Sequence, residues 1–174
     1  NADNVRATKA KLILEKNRLI FIHNGKDEFT LQNVISITGV ANSHYLEKAK
    51  AGGFGVGFKA VFAICERPEI YSRDYNFAIE KLSIPVKIDK QEIEDNYTTM
   101  FILPFSSQKY SNSEIHKRVE KELKNLDTTT IMFLFRLKNI LVQTPKWDKR
   151  VSLSGTKKED AILYTDPETQ TKYL

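Results

Sequence analysis

Residues 52–62 read GGFGVGFKAVF, and four of the chain's seven glycines crowd into positions 52–57. Glycine loses more backbone entropy on folding than any other residue, so a cluster marks a sharp turn or a close approach to something. An apolar, helix-like run follows at once. A P-loop needs its last glycine followed by Lys and then Ser or Thr; here Gly57 is followed by Phe58 and Lys59, and that reading fails. A dinucleotide fingerprint needs GxGxxG straight after a buried strand. This chain has GxxGxG after LEKAKA, which is no strand. There remains a loop whose amides face a phosphate chain as the polypeptide enters a helix, where N–H groups and the helix's positive end attract anions. Glycines serving only tight helix packing are the competing explanation.

The rest of the chain sets the frame. At 174 residues and 20.0 kDa it suits one domain with a real core. Its 41% hydrophobic and 28% charged residues are ordinary globular composition. No apolar run approaches the ~20 residues of a membrane span, and none resembles a signal peptide. The lone Cys65 excludes an intrachain disulfide framework and a multi-cysteine zinc site. A reducing, cytoplasmic setting is the expectation. The net charge of +5 is spread among acidic residues, as in EIHKRVEKELKNLD, and without an aromatic-plus-basic motif it does not support a nucleic-acid partner.

KLILEKNRLIFIHNG predicts two strands around a turn at Lys16-Asn17. FTLQNVISIT predicts a helix capped by Thr30, and Ser111 with Glu114 forms a capping-box pattern opening a helix over 112–126. GVANSHYLEKAKAGG reads as a mobile loop and 56–64 as the helix opened by the glycines. EIYSRDYNFAIEKLSIPVKI and TTMFILPF are β-rich, and RVSLSG and DAILYT suggest further strands. TTTIMFLFRLKNILV, the most apolar stretch, is expected to be core. The reading is one mixed α+β domain over 1–174, and a piece of a longer protein.

GGFGVGF followed by an apolar helix resembles the second glycine box of the GHKL ATPases, the superfamily of gyrase B, heat-shock ATPase chaperones, MutL and histidine-kinase ATP-binding domains. Other boxes follow in the family's order. NADNV is similar to the asparagine box, with Asn1 at the metal-binding asparagine and Asn4 and Val5 beside the base. FIHNGKDEF stands where the family has DxGxG: Gly25 fits the first glycine, His23 takes the Asp position and Asp27 the second glycine's. TTMFILPF supplies the final threonine, with Thr99 the better match and Thr98 close by. The HNG stretch, FGVGFKAVF, RPEIYS and TxxxLPF together look most like the sacsin and NO VEIN type of ATPase module. The resemblance covers residues 1 to about 105 and leaves 106–174 as a helical and β extension.

The resemblance implies a two-layer α/β sandwich, with helices on one face of a mixed, mostly antiparallel sheet. It implies ATP or ADP as ligand and Mg²⁺ held by Asn1. Gly52, Gly53, Phe54, Gly55, Val56, Gly57 and Phe58 would wrap the phosphates through backbone amides, with Lys59 as an optional charge. Ser43, Lys48 and Lys50 fall in the family's ATP lid. In place of the family's carboxylate, either the acceptor nitrogen of His23 or the amide oxygen of Asn24 would take a bond from the adenine amino group; a structural His23 with relaxed base specificity is the third option. The family's general-base Glu would lie four residues before Asn1. Expected outcomes are slow hydrolysis coupled to lid closure or homodimerisation in a chaperone-like or defence machine with unknown protein clients, or a non-hydrolysing nucleotide-gated interaction module. His44 and His116 carry no phosphoacceptor pattern, which sets a histidine kinase aside.

Overall fold

Alternating apolar residues make Lys9–Leu14 (β1) and Arg18–His23 (β2) an antiparallel hairpin, turning at Lys16-Asn17 as predicted. The computed structural model describes residues 2–27, 29–39, 56–158, 161–165 and 172–173. Glu69–Ser72 (β3), Tyr75–Glu80 (β4), Ile84–Lys87 (β5) and Thr99–Pro104 (β6) join the hairpin on one side. Asn139–Gln143 (β7) and Asp148–Ser152 (β8) join it on the other. The eight strands run in the order β5-β4-β3-β6-β2-β1-β7-β8, antiparallel throughout except for the parallel pair β1–β7. A second sheet holds Ser154–Lys158 (β9), Ala161–Thr165 (β10) and Lys172–Tyr173 (β11); of the tail strands suggested by sequence, RVSLSG is divided between β8 and β9, and DAILYT supplies β10.

Leu31–Thr38 (α1) starts at a capping box in which Thr30 and Asn33 exchange side-chain and backbone bonds. Asn112–Asn125 (α3) starts the same way, with Ser111 and Glu114. Val56–Lys59 (α2) continues as a 3₁₀ turn, Ala60–Ala63, so the single helix expected over 56–64 tightens halfway. Thr128–Met132 (α4) is capped by Asp127. The loop expected over 39–53 falls, from residue 40 on, outside the described residues.

The expected two-layer α/β sandwich is not what forms. Among the described residues a single large mixed sheet of eight strands dominates, and the α-helices are few and short, of 8, 4, 14 and 5 residues. Lengths explain the difference. The longest described helix reaches about 21 Å, whereas eight strands spread over about 34 Å, and the extension after residue 105 widens the sheet by β7 and β8 while adding only the short helices α3 and α4 over it. One sheet face is covered piecewise by these short elements. It carries a cluster around Leu14, Ile115, Ile131, Val142 and Val151 and another around Phe58, Ile70, Phe77 and Ile79. The opposite face has its own cluster, Ile20, Ile22, Tyr71, Met100 and Ile102, against which Ile88, Ile93 and Tyr97 of an extended strap pack. Lys11 Nζ meets Glu94 Oε2 of that strap at 2.5 Å and pins it.

A second correction concerns TTTIMFLFRLKNILV. Ile131, Leu137, Ile140 and Val142 are core as expected, yet Phe133 and Phe135 are 81% and 90% exposed. Phe133 ends α4 as its C-cap, and at Phe135 the Asp3 carboxylate holds the backbone. The carboxylate accepts from the amides of Phe135, Arg136 and Leu137 at 3.0, 2.6 and 2.8 Å. That turns the backbone at 135–137 inward around the charge and leaves the Phe135 ring outside.

Candidate functional site

The register of the sheet brings distant boxes to one end of it. His23 on β2 faces Ala10 on β1 and Thr99 on β6, so all three share a sheet face. Ser72, the last residue of β3, extends this row: its hydroxyl and that of Thr99 lie 2.9 Å apart, both buried. Apolar faces thus end in a polar row just where the strands stop. Ser72 had no assigned role in the sequence, although its place in RPEIYS, one strand from TTMFILPF, is where pairing would put it.

Above this row residues 2–6 form a turn, closed by Ala7 N–H to Ala2 O at 3.0 Å. The carbonyl of Val5 accepts from Lys26 and Asp27 at 2.8 and 3.3 Å, and the carboxylate of Asp27 pairs with the Arg6 guanidinium. The aspartate standing where the resembled pattern has a second glycine therefore ties the asparagine-box turn to the end of β2. Gly25 is needed for closeness here. A Cβ on it would lie 2.6 Å from Val5 Cγ2 and 3.0 Å from His23 Nδ1. Thr98 closes the other side, donating its hydroxyl to Gly25 O at 2.7 Å and its amide to His23 O at 3.0 Å.

His23 is 4% exposed, and its ring sits 5.7 Å from Phe21 and 6.1 Å from Phe101 between centroids. Burial pushes its pKa down from 6.5 to about 4, so the ring is neutral at pH 7. Its Nδ1 accepts the Gly25 amide at 3.1 Å. The acceptor nitrogen that would have served a base amino group is already occupied. Asn24 is likewise committed: Oδ1 accepts from the Thr8 and Lys9 amides, both at 2.9 Å, and Nδ2 donates to Thr8 Oγ1. It orders the start of β1 rather than facing a ligand.

The remaining candidates divide. Asn4 is exposed on the turn. Val56 opens α2. Gly57 has no described atom within 4 Å of a Cβ built on it, so packing among the described residues does not explain this glycine. The Phe58 side chain is core, edge-on to Phe62 at 6.3 Å and 6.0 Å from Phe101, and it anchors the helix that the glycines open. Lys59 Nζ donates to Gly39 O at 3.2 Å, joining the two ends of the 40–55 segment. Asn1, Ser43, Lys48, Lys50, Gly52, Gly53, Phe54 and Gly55 lie outside the described residues. Among the described residues no three His, Cys, Asp or Glu side chains group as metal ligands, and no helix is long and apolar enough to cross a membrane.

A cleft of about 770 Å³ opens beside Asn24, Gly25 and Thr98. Its walls carry both signs, Lys9, Lys26 and Arg73 against Glu94 and Asp95. Two of its lining residues, Arg73 and Asn96, hold φ of 51° and 71°, in the left-handed region where non-glycine residues are uncommon.

No protein-family model matches the chain. It is similar to Protein NO VEIN of Arabidopsis thaliana, at 23% identity over 154 residues that take in 74% of this chain and 6% of that protein. The chain therefore spans a small fraction of that relative's length.

Proposed function

We propose that this chain is a nucleotide-binding module that takes a magnesium–purine nucleotide, ATP in the reading the sequence resemblance implies, at the end of β2 and β6. The observation that carries this is convergence. The turn at 2–6, the His23–Gly25 stretch and Thr98–Thr99, spread along the chain from residue 2 to residue 99, meet through direct hydrogen bonds and the Gly25–Val5 contact. The reading rests on the site and not on the fold, whose helices differ from the expected sandwich. Gly57 has no packing need among its described neighbours, as a backbone that approaches a phosphate would require. Asn1 would be the protein's ligand to Mg²⁺, a hard cation that commonly keeps several waters and takes one or two protein oxygens plus phosphate oxygens.

Calorimetry with ATP and ADP, with and without Mg²⁺, tests the proposal on the wild type and on a Gly55→Val, Gly57→Val double variant. Magnesium-dependent binding that the double variant loses supports it. A folded wild type that binds neither nucleotide refutes it. Phosphate release under saturating Mg-ATP then separates a slow ATPase from a module that uses nucleotide only as a conformational ligand.

A further inference from the structure

The chain's positive charge is unevenly distributed. Residues 1–105 hold fourteen Lys and Arg against thirteen Asp and Glu, whereas residues 106–158 hold twelve against five. The basic excess therefore belongs to the stretch that builds α3, α4, β7, β8 and β9, not to the strands that carry His23 and Thr99.

Acidic and basic residues alternate along the sequence of α3 but part company around the helix. Ile115, Val119, Leu123 and Leu126 turn into the core. At about 100° per residue, Lys117, Lys121 and Lys124 fall on the opposite side of the cylinder, and all three are exposed. They follow the i, i+4, i+7 row, a span of about 10 Å that matches the rise of about three base pairs. Two of the helix's three carboxylates have work within the fold. Glu114 closes the capping box on Ser111, and Glu120 accepts the Trp147 indole N–H at 3.0 Å. Glu120 also meets Lys124 at 3.1 Å, a pair open to water on the lysine side and weak for that reason.

The row continues at both ends. At one, Arg118 and Lys109 lie over the Tyr110 ring, 4.0 and 5.3 Å from its centroid. At the other, Lys149 of β8 donates to Lys124 O at 2.8 Å, and Lys124 Nζ sits 5.6 Å from the centre of the Trp147 ring. Cations from Lys109 to Lys149 thus line one ridge along α3.

We propose that this ridge binds the phosphate backbone of a nucleic acid without reading its sequence. Protein interfaces deplete lysine and have an apolar centre, while the outward face of α3 carries no exposed apolar residue. Lysines spaced along a rod instead neutralise successive phosphates and release their counterions, which gives affinity with no sequence preference. The proposal is independent of the nucleotide reading, because none of these residues belongs to that site.

Fluorescence anisotropy with a labelled random-sequence DNA duplex and single strand tests it on the 174-residue chain. The wild type is expected to bind both, with log Kd rising linearly with log salt. Lys117→Gln, Lys121→Gln and Lys124→Gln combined, glutamine being a good helix former, are expected to weaken duplex binding by about tenfold or more at low salt and to lower the salt slope by about 2–3. Lys16→Gln, Lys87→Gln and Lys90→Gln combined remove equal charge from exposed positions of the other part of the chain, and are expected to change Kd by no more than about twofold. Urea midpoints verify folding; should the first triple variant unfold, Lys121→Gln alone decides, with about one unit of slope expected to go. Equal losses in the two triple variants overturn the proposal, as does an unchanged slope in a folded α3 variant. A folded wild type that binds neither DNA also overturns it, and capture by phosphatidylserine-containing vesicles in that case assigns the ridge to a membrane surface.

Discussion

Asp3 and Leu137, 134 positions apart in the chain, are joined by a 2.8 Å hydrogen bond from the Leu137 amide to the Asp3 carboxylate. The amides of Phe135 and Arg136 point at the same carboxylate, so one side chain in the asparagine-box turn organises the loop before β7. Burial alone would raise the Asp3 pKa, but the three amides, helped by Lys138, hold it below the ordinary 3.8. Asp3→Ala is expected to cost about 1 kcal/mol, a typical net hydrogen-bond contribution, since two of the three bonds to this charged group are exposed to water. Urea denaturation at pH 7 measures it, and hydrogen exchange at 135–137 should quicken. The contribution is present above the ordinary carboxylate pKa and disappears as the pH falls through the lowered one.

Gly25→Ala places a methyl 2.6 Å from Val5 Cγ2. Overpacking of this kind costs about 1–3 kcal/mol. Pairing it with Val5→Ala should recover part of the loss, because the clashing methyl goes. A double-mutant cycle in urea reports the coupling, and strict additivity would show that the two residues do not press on one another.

His23 sets an acid dependence of stability. Its folded pKa, about 4, lies below the ordinary 6.5, so between these values the unfolded chain binds the extra proton. Its contribution is complete above pH 6.5 and lost as the pH falls toward 4, by an amount on the order of 2–3 kcal/mol. Urea midpoints taken from pH 7.5 to 4.5 should decline for the wild type and decline less for His23→Asn.

Phe133 and Phe135 offer the opposite expectation. Both rings are exposed, so Phe133→Ser or Phe135→Ser should change stability by no more than about 0.5 kcal/mol. Ile131→Ala, two residues earlier and fully buried, should cost about 2–5 kcal/mol. Chemical denaturation of the three variants side by side checks the contrast.

Local chemistry was readable without coordinates. The β1–β2 hairpin, the Thr30 and Ser111 capping boxes and the strands β3 to β6 follow from alternation and from which side chains can reach which backbone groups, over spans of a few residues. The ordered boxes NADNV, HNG and TT also named residues that the sheet places together. Other features depended on partners far along the chain. Hydrophobicity made Phe133 and Phe135 look like core, yet both are exposed, and at Phe135 the backbone is held by the Asp3 carboxylate, some 130 residues away. Propensity showed strands in the tail but not that β7 would pair in parallel with β1 and widen the sheet beyond what short helices could cover.

His23 holds both lessons at once. The sequence by itself determined that an imidazole stands where the resembled pattern has a carboxylate. It did so because a residue type is covalent and local. Only tertiary structure decided which nitrogen of that ring is available: the return of the chain at Gly25 puts an amide on Nδ1, and burial beside Phe21 and Phe101 keeps the ring neutral. A histidine can accept or donate, and the proton goes where the surrounding fold leaves room for it.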